Sequence, residues 1–155
     1  MPELPEIEII RRTLTEKLAG HQVTEAVLPH RGKTSMQNEE LLQAIPGQTL
    51  TGVSRYGKMI GLHFDGGLTL IAHLMLTGRV GLYDSDRSDS DTAMLRLSFD
   101  DGQAFELVRV TARDIAVLPT DQLEDYAPVK KLGPDALEIA ADEFAGNALM
   151  TRGSV

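Results

Sequence analysis

Ile7, Ile10, Leu14 and Leu18 recur at helical spacing near the start of the chain, with Glu8, Arg11, Arg12 and Lys17 mostly off that stripe. Pro5 suits the first turn of such a helix, where its missing N–H costs nothing, and Gly20 stops it. Gln22 to Leu28 then alternates apolar and polar positions, which predicts a strand, and Asn38 to Ile45 predicts a short helix capped by Asn38 and closed by Pro46-Gly47. From Thr49 onward the period shortens. Leu50 to Arg55, Met59 to Phe64, Leu68 to Leu74, Arg79 to Tyr83, Ala93 to Phe99, Ala104 to Val110 and Ile115 to Leu118 are rich in β-formers. Asp65-Gly66-Gly67 and Asp100-Asp101-Gly102 supply hairpin turns between neighbours. Short strands at regular spacing predict an α+β fold that is mainly β: a two-sheet β-sandwich, or flattened barrel, with the N-terminal helix packed on it and short flanking helices. Beyond Pro119, Asp121 to Tyr126 reads as a helical turn and Asp142 to Met150 as a short helix, and there are no internal repeats.

Composition narrows the setting. At 155 residues the chain has the size of one domain with a substantial core. It has no Cys, so neither a disulfide nor a Cys-ligated zinc can form within it. A basic and then apolar leader is missing, and no apolar run approaches the roughly 20 residues needed to span a bilayer. These features predict a soluble, cytoplasmic protein with no membrane partner, and we expect a monomer. The net charge of -8 and pI near 4.9 argue against strong affinity for DNA, because duplex binding rests on Lys and Arg neutralising phosphates. Acidity can be segregated, however. Asp84 to Asp91, Asp100-Asp101 and Asp121 to Asp125 read as solvated loops, leaving a basic set of Arg11, Arg12, Arg31, Lys33, Arg55, Lys58, Arg79, Arg109 and Arg113.

The chemistry is concentrated in the first eight residues, Met1-Pro2-Glu3-Leu4-Pro5-Glu6-Ile7-Glu8. With the initiator Met removed, Pro2 becomes a terminal secondary amine. An α-amino group titrates near pH ~8, so a useful fraction is unprotonated at neutral pH. Attack of such an amine on a sugar aldehyde carbon gives an iminium that acts as an electron sink for elimination, and Glu3 stands beside it to move a proton. The helix N-terminus nearby disfavours the protonated amine and favours a phosphate. If Met1 is retained, the nitrogen of Pro2 is an amide and cannot attack. For an arbitrary protein, two prolines here are simply punctuation in a frayed terminus.

The opening run PELPEIEIIRR resembles the N-terminal signature of the formamidopyrimidine-DNA glycosylase family, bifunctional base-excision enzymes that remove oxidised purines and then nick the abasic strand. Leu4 favours this branch over the sister endonuclease VIII branch, where that position is usually Gly. The resemblance implies Pro2 as the Schiff-base nucleophile, Glu3 as the acid acting on the deoxyribose and Glu6 as a supporting carboxylate. Arg55-Tyr56-Gly57-Lys58 resembles the family's RxGKxL segment and implies Lys58 as the second active-site cation, contacting phosphate. His73-Leu74-Met75-Leu76-Thr77-Gly78-Arg79 resembles its HLGMTGR loop, which delivers an apolar wedge into the gap left by an everted base. Met75 stands where Gly is expected and Leu76 where Met is expected, so Met75 and Leu76 are wedge candidates, with packing in the core as the alternative. Following an apolar strand, His73 reads as a structural histidine.

The family's DPRRFG segment is matched weakly by Thr111-Ala112-Arg113-Asp114-Ile115-Ala116, in which Arg113 survives as a donor to the unpaired base and Ile115 stands for the aromatic wedge. LGPDAL, from Leu132, resembles the junction into a helix-two-turn-helix domain. The expected organisation is therefore a catalytic β-sandwich domain over 1–131 and the start of a truncated helix-two-turn-helix region over 132–155. No cofactor is expected here, since the family's zinc finger would need C-terminal residues beyond this chain. The expected function is base-excision glycosylase and AP lyase on damaged double-stranded DNA, weak or inactive for this chain alone. Two other classes stay open: a non-catalytic DNA-damage-binding relative, which the acidic pI favours, and a small-molecule tautomerase using an N-terminal Pro.

Overall fold

A computed structural model describes residues 4–29, 36–75, 77–84 and 93–132. The apolar stripe becomes helix α1, Leu4–Leu18, with Ile7, Leu14 and Leu18 buried, Ile10 half-buried and the off-stripe Ile9 exposed. Gly20 ends it in left-handed backbone at φ +89°, and its N–H donates to the Leu50 carbonyl at 2.8 Å. Eight strands follow: β1 (Val23–Val27), β2 (Leu50–Tyr56), β3 (Met59–Phe64), β4 (Leu68–His73), β5 (Arg79–Asp84), β6 (Ala93–Phe99), β7 (Gln103–Val108) and β8 (Ile115–Pro119). They form two four-stranded sheets, ordered β1-β6-β7-β5 and β2-β3-β4-β8, with every pairing antiparallel. The expected β-sandwich with an N-terminal helix is the observed fold.

The two sheets differ in how they are covered. In β6 only alternate residues, Ala93, Leu95, Leu97 and Phe99, are buried, as expected when one face meets the core. The second sheet is covered on both faces. Ile60, Leu62, Leu70, Ala72, Ile115 and Val117 face the main core. Met59, Ile71, Ala116 and Leu118 face outward, under Leu123 of a 3₁₀ turn (Thr120–Asp125) and Val129 of helix α2 (Ala127–Lys130). This explains why β3, β4 and β8 read as nearly continuous apolar runs.

One local expectation is corrected. Asn38 does not cap a helix through its side chain; it adopts left-handed backbone at φ 56° and ψ 42°, and Glu39–Ala44 after it winds as a 3₁₀ helix. Asn is among the few non-Gly residues that tolerate this conformation, so here it turns the chain. The acidic loop's first residue, Asp84, closes β5, while 85–92 lie outside the described residues, as do the helix expected at Asp142 to Met150 and all of the region after Leu132. No helix among the described residues is long and apolar enough to cross a membrane.

Candidate active site and nucleic-acid interface

Helix α1 lies antiparallel to β2. Its C-terminal end is fixed at Leu50, whose N–H donates to the His21 carbonyl at 3.0 Å, and its N-terminal half is tied to Arg55 by Glu8. About 18 Å of helix separates Gly20 from Glu8, and about 17 Å of strand separates Leu50 from Arg55, so the two run in step. The N-terminal end of the helix is thereby directed at the β2–β3 turn that carries Gly57 and Lys58.

Glu8 is the joint. Arg11 donates to both of its carboxylate oxygens, at 2.9 and 2.7 Å, Arg12 donates at 3.0 Å, and the Arg55 guanidinium Nε lies 3.6 Å away on the strand. The Glu8, Arg11 and Arg55 side chains are largely shielded, at 18, 17 and 13% exposure, so their attraction is screened less than that of a surface pair. Gly57 takes φ +62°, and a Cβ there would stand 2.7 Å from Cδ2 of Leu132. The beginning of LGPDAL therefore packs against the turn that presents Lys58. Lys58 is half-buried and Glu6 is exposed in the first turn of α1. Pro2 and Glu3 lie outside the described residues.

Met75 follows β4 at the same end of the sandwich, since Met59 pairs with His73. It is 45% exposed and adopts φ 56°, left-handed backbone at the position where the resembling loop has Gly. Two contacts hold it there: the Met75 N–H donates to Nδ1 of His73 at 3.1 Å, and the Gly78 N–H donates to the Leu74 carbonyl at 2.8 Å. His73 thus has the structural role expected of it, accepting through Nδ1. Gly78 is required by space, because a Cβ there would stand 2.0 Å from the Leu74 carbonyl oxygen and 2.8 Å from Val110. Leu76 lies outside the described residues.

Arg113 is exposed on a 3₁₀ turn (Ala112–Asp114) that is stiffened by the Thr111 hydroxyl donating to Asp114 at 2.6 Å. Ile115 is a correction. It starts β8, pairs with Ala72 and is 0% exposed within the main core, so it cannot serve as a wedge. An apolar side chain at the first residue of a strand covered on both faces is claimed by packing.

The registers also sort the charges. Lys58, Arg79, Arg109 and Arg113 sit at the end that carries the Met75 loop, because Arg79 pairs with Val108 and Ala72 with Ile115. Asp65, Asp84, Asp100 and Asp101 sit at the other end: the Asp65 N–H donates to Thr49, the Asp100 N–H to Gln22, and Asp84 pairs with Gln103. His21, beside the C-terminal end of α1, also belongs there, 3.1 Å from Asp100 and 3.5 Å from Asp101. Among the described residues, Glu6, Asp114, held by Thr111, and Glu124, whose charge acts on Tyr56 beside the Lys58 turn, are acids near the cationic end.

Two polar groups, one buried and one half-buried, escaped the sequence. Glu106 of β7 is fully buried opposite Arg96 of β6, at 3.7 Å. His63, on the outer face of β3, has Nε2 2.8 Å from the Ser54 hydroxyl and 3.4 Å from that of Tyr56, and Nδ1 2.9 Å from the Thr69 hydroxyl, which in turn meets Thr120 at 2.8 Å. Burial pushes its pKa down to about 4, so the ring is neutral at pH 7. It borders an open cavity of about 450 Å³ on that outer face, with Asp65, Gly67 and Thr120 among its walls. The signal available beforehand was a lone polar residue at a covered position, which by itself names no partner.

Residues 1–115 match the model of the formamidopyrimidine-DNA glycosylase N-terminal domain, a span that takes in α1, the Lys58 turn, the Met75 loop and Arg113. The chain belongs to the formamidopyrimidine-DNA glycosylase family. It is 37% identical over 156 residues to the formamidopyrimidine-DNA glycosylase of Methylobacillus flagellatus, covering 99% of this chain and 55% of that protein. To the Lactococcus lactis subsp. cremoris enzyme it is 33% identical over 140 residues, covering 87% of this chain and 50% of the relative. A crystal structure of wild-type Lactococcus lactis Fpg with N7-benzyl-Fapy-dG-containing DNA superposes with a TM-score of 0.72 at 29% identity, over 86% of this chain and 49% of that one. The chain spans about half the length of the curated relatives it matches.

Proposed function

We propose that this chain is the catalytic β-sandwich of a base-excision DNA glycosylase with AP lyase activity, acting on oxidised purines such as formamidopyrimidine and 8-oxoguanine in duplex DNA. The observation that carries the proposal is the convergence of the N-terminal end of α1 on the Lys58 turn, at the end of the sandwich where Met75, Arg79, Arg109 and Arg113 are exposed. On this reading a terminal amine acts together with a cation suited to a phosphate and an apolar side chain suited to a gap in the duplex.

The chemistry proceeds on the sugar. The Pro2 nitrogen attacks C1′, the bond to the base breaks, and the base leaves with a proton. Opening of the ring, with Glu3 donating to O4′, leaves an iminium between Pro2 and C1′. Loss of a C2′ proton into that electron sink expels the 3′ phosphate and cuts the strand. Lys58 neutralises a phosphate during these steps, and Glu6 supports the carboxylate chemistry of the pocket.

Borohydride trapping on an abasic-site duplex tests the proposal. A covalent adduct is expected at high protein concentration, and it should vanish after acetylation of the terminus. Specific binding to the abasic duplex without any adduct would instead favour a damage-binding protein that has lost catalysis.

A further inference from the structure

Arg109 lies outside every segment that resembles a family motif, yet its backbone is the second exposed left-handed non-Gly residue at the cationic end of the sandwich, at φ 59°. An L-residue with a Cβ is strained in this region, and Arg has none of the local hydrogen-bonding capacity that lets Asn occupy it. Strain of this kind persists only where the surroundings over-determine it, and it gathers at functional sites. The surroundings are visible. Val108, one residue before, ends β7 opposite Arg79, and Val110, one residue after, is buried against Gly78. Continuing that register past the strand places Arg109 beside Gly78, at the base of the Met75 loop.

Both neighbours of Arg109 are thus pinned inward, and the left-handed turn between them leaves an exposed Arg109 at the base of the loop that exposes Met75. Among the described residues no hydrogen bond or ion pair engages that guanidinium, whereas Arg11, Arg12, Arg55 and Arg96 each face a carboxylate. We propose that Arg109 is a DNA phosphate contact that fixes the Met75 loop against the duplex. This inference rests on the reading of the chain as a DNA-acting protein. Guanidinium is suited to the task, since its planar fork of donors meets two phosphate oxygens at once.

Fluorescence anisotropy on an abasic-site duplex and on the same duplex unmodified, between 50 and 200 mM salt, tests it with the chain as it exists. Neutralising one phosphate contributes a slope of about -0.9 to log K against log salt. Arg109→Gly should therefore make the slope shallower by about one on both duplexes, while its Tm stays equal or rises because Gly accepts the left-handed backbone. Arg109→Lys should restore the slope. An unchanged slope in Arg109→Gly overturns the contact. A wild-type protein that binds both duplexes alike, with the slope still dependent on Arg109, overturns damage recognition while leaving the contact standing. A wild type that binds neither duplex overturns both.

Discussion

Replacing His63 with Gln should remove an acid-sensitive component of the stability of this fold, because the wild-type imidazole is held neutral in a half-buried chain of hydroxyls. Neutral histidine offers one donor and one acceptor, which suits a ring that accepts from one of the Ser54 and Thr69 hydroxyls and donates to the other. Imidazolium would need both hydroxyls as acceptors and would carry its charge beneath the outer face of the second sheet. With a folded pKa of about 4 against 6.5 when unfolded, the unfolded state binds more protons throughout that interval. Stability is therefore complete above pH ~6.5 and falls as pH drops toward 4, at about 1.4 kcal/mol per unit. The sum is on the order of 3 kcal/mol, or roughly 6–12 °C in Tm for a chain of this length. Urea unfolding of wild type and His63→Gln at intervals from pH 7.5 to 4 isolates it, since carboxylates titrating in the same range are common to both. Wild type should lose on the order of 3 kcal/mol more than the variant over that interval. Parallel curves would refute the neutral assignment.

Gly57→Ala forces a Cβ into left-handed backbone and against Leu132, so it should cost about 1–2 kcal/mol, or roughly 2–8 °C in Tm, by thermal melting. Because the same turn presents Lys58, trapping on abasic DNA should fall by more than the loss of folded protein explains; proportional loss would show that Leu132 packing does not set the position of Lys58. Met75→Gly should keep Tm equal or raise it, since it relieves strain and removes little buried surface, yet it should weaken the signal of a fluorescent base analogue stacked beside the abasic site. A Tm drop of several degrees would return Met75 to a packing role.

The strands and the first helix were legible because period and punctuation agree along them: Ile7, Leu14 and Leu18 mark one helical face, and Asp65-Gly66-Gly67 with Gly67 at φ +87° makes the turn its composition announces. What could not be read is which residues meet across sequence distance. Ser54, His63, Thr69 and Thr120 come together only because β2, β3 and β4 are neighbours and the chain after β8 folds back over them. Arg96 and Glu106 meet by register alone. Charge segregation was equally hidden, since the acidic hairpin turns and the cationic loops alternate in sequence and separate only when alternate strand ends are sorted to opposite ends of the sandwich. Asn38 and Ile115 show a different limit. Their residue types permit two uses, a cap or a left-handed turn for one and a wedge or core for the other, and tertiary packing chose.

The most direct measurement is peptide mass spectrometry of the borohydride-trapped adduct with abasic DNA. The account predicts that the deoxyribose-derived mass resides on the nitrogen of Pro2 in the N-terminal peptide, in protein whose intact mass shows Met1 removed. Mapping of the adduct to Lys58 or another lysine, or trapping by protein that retains Met1, would contradict it.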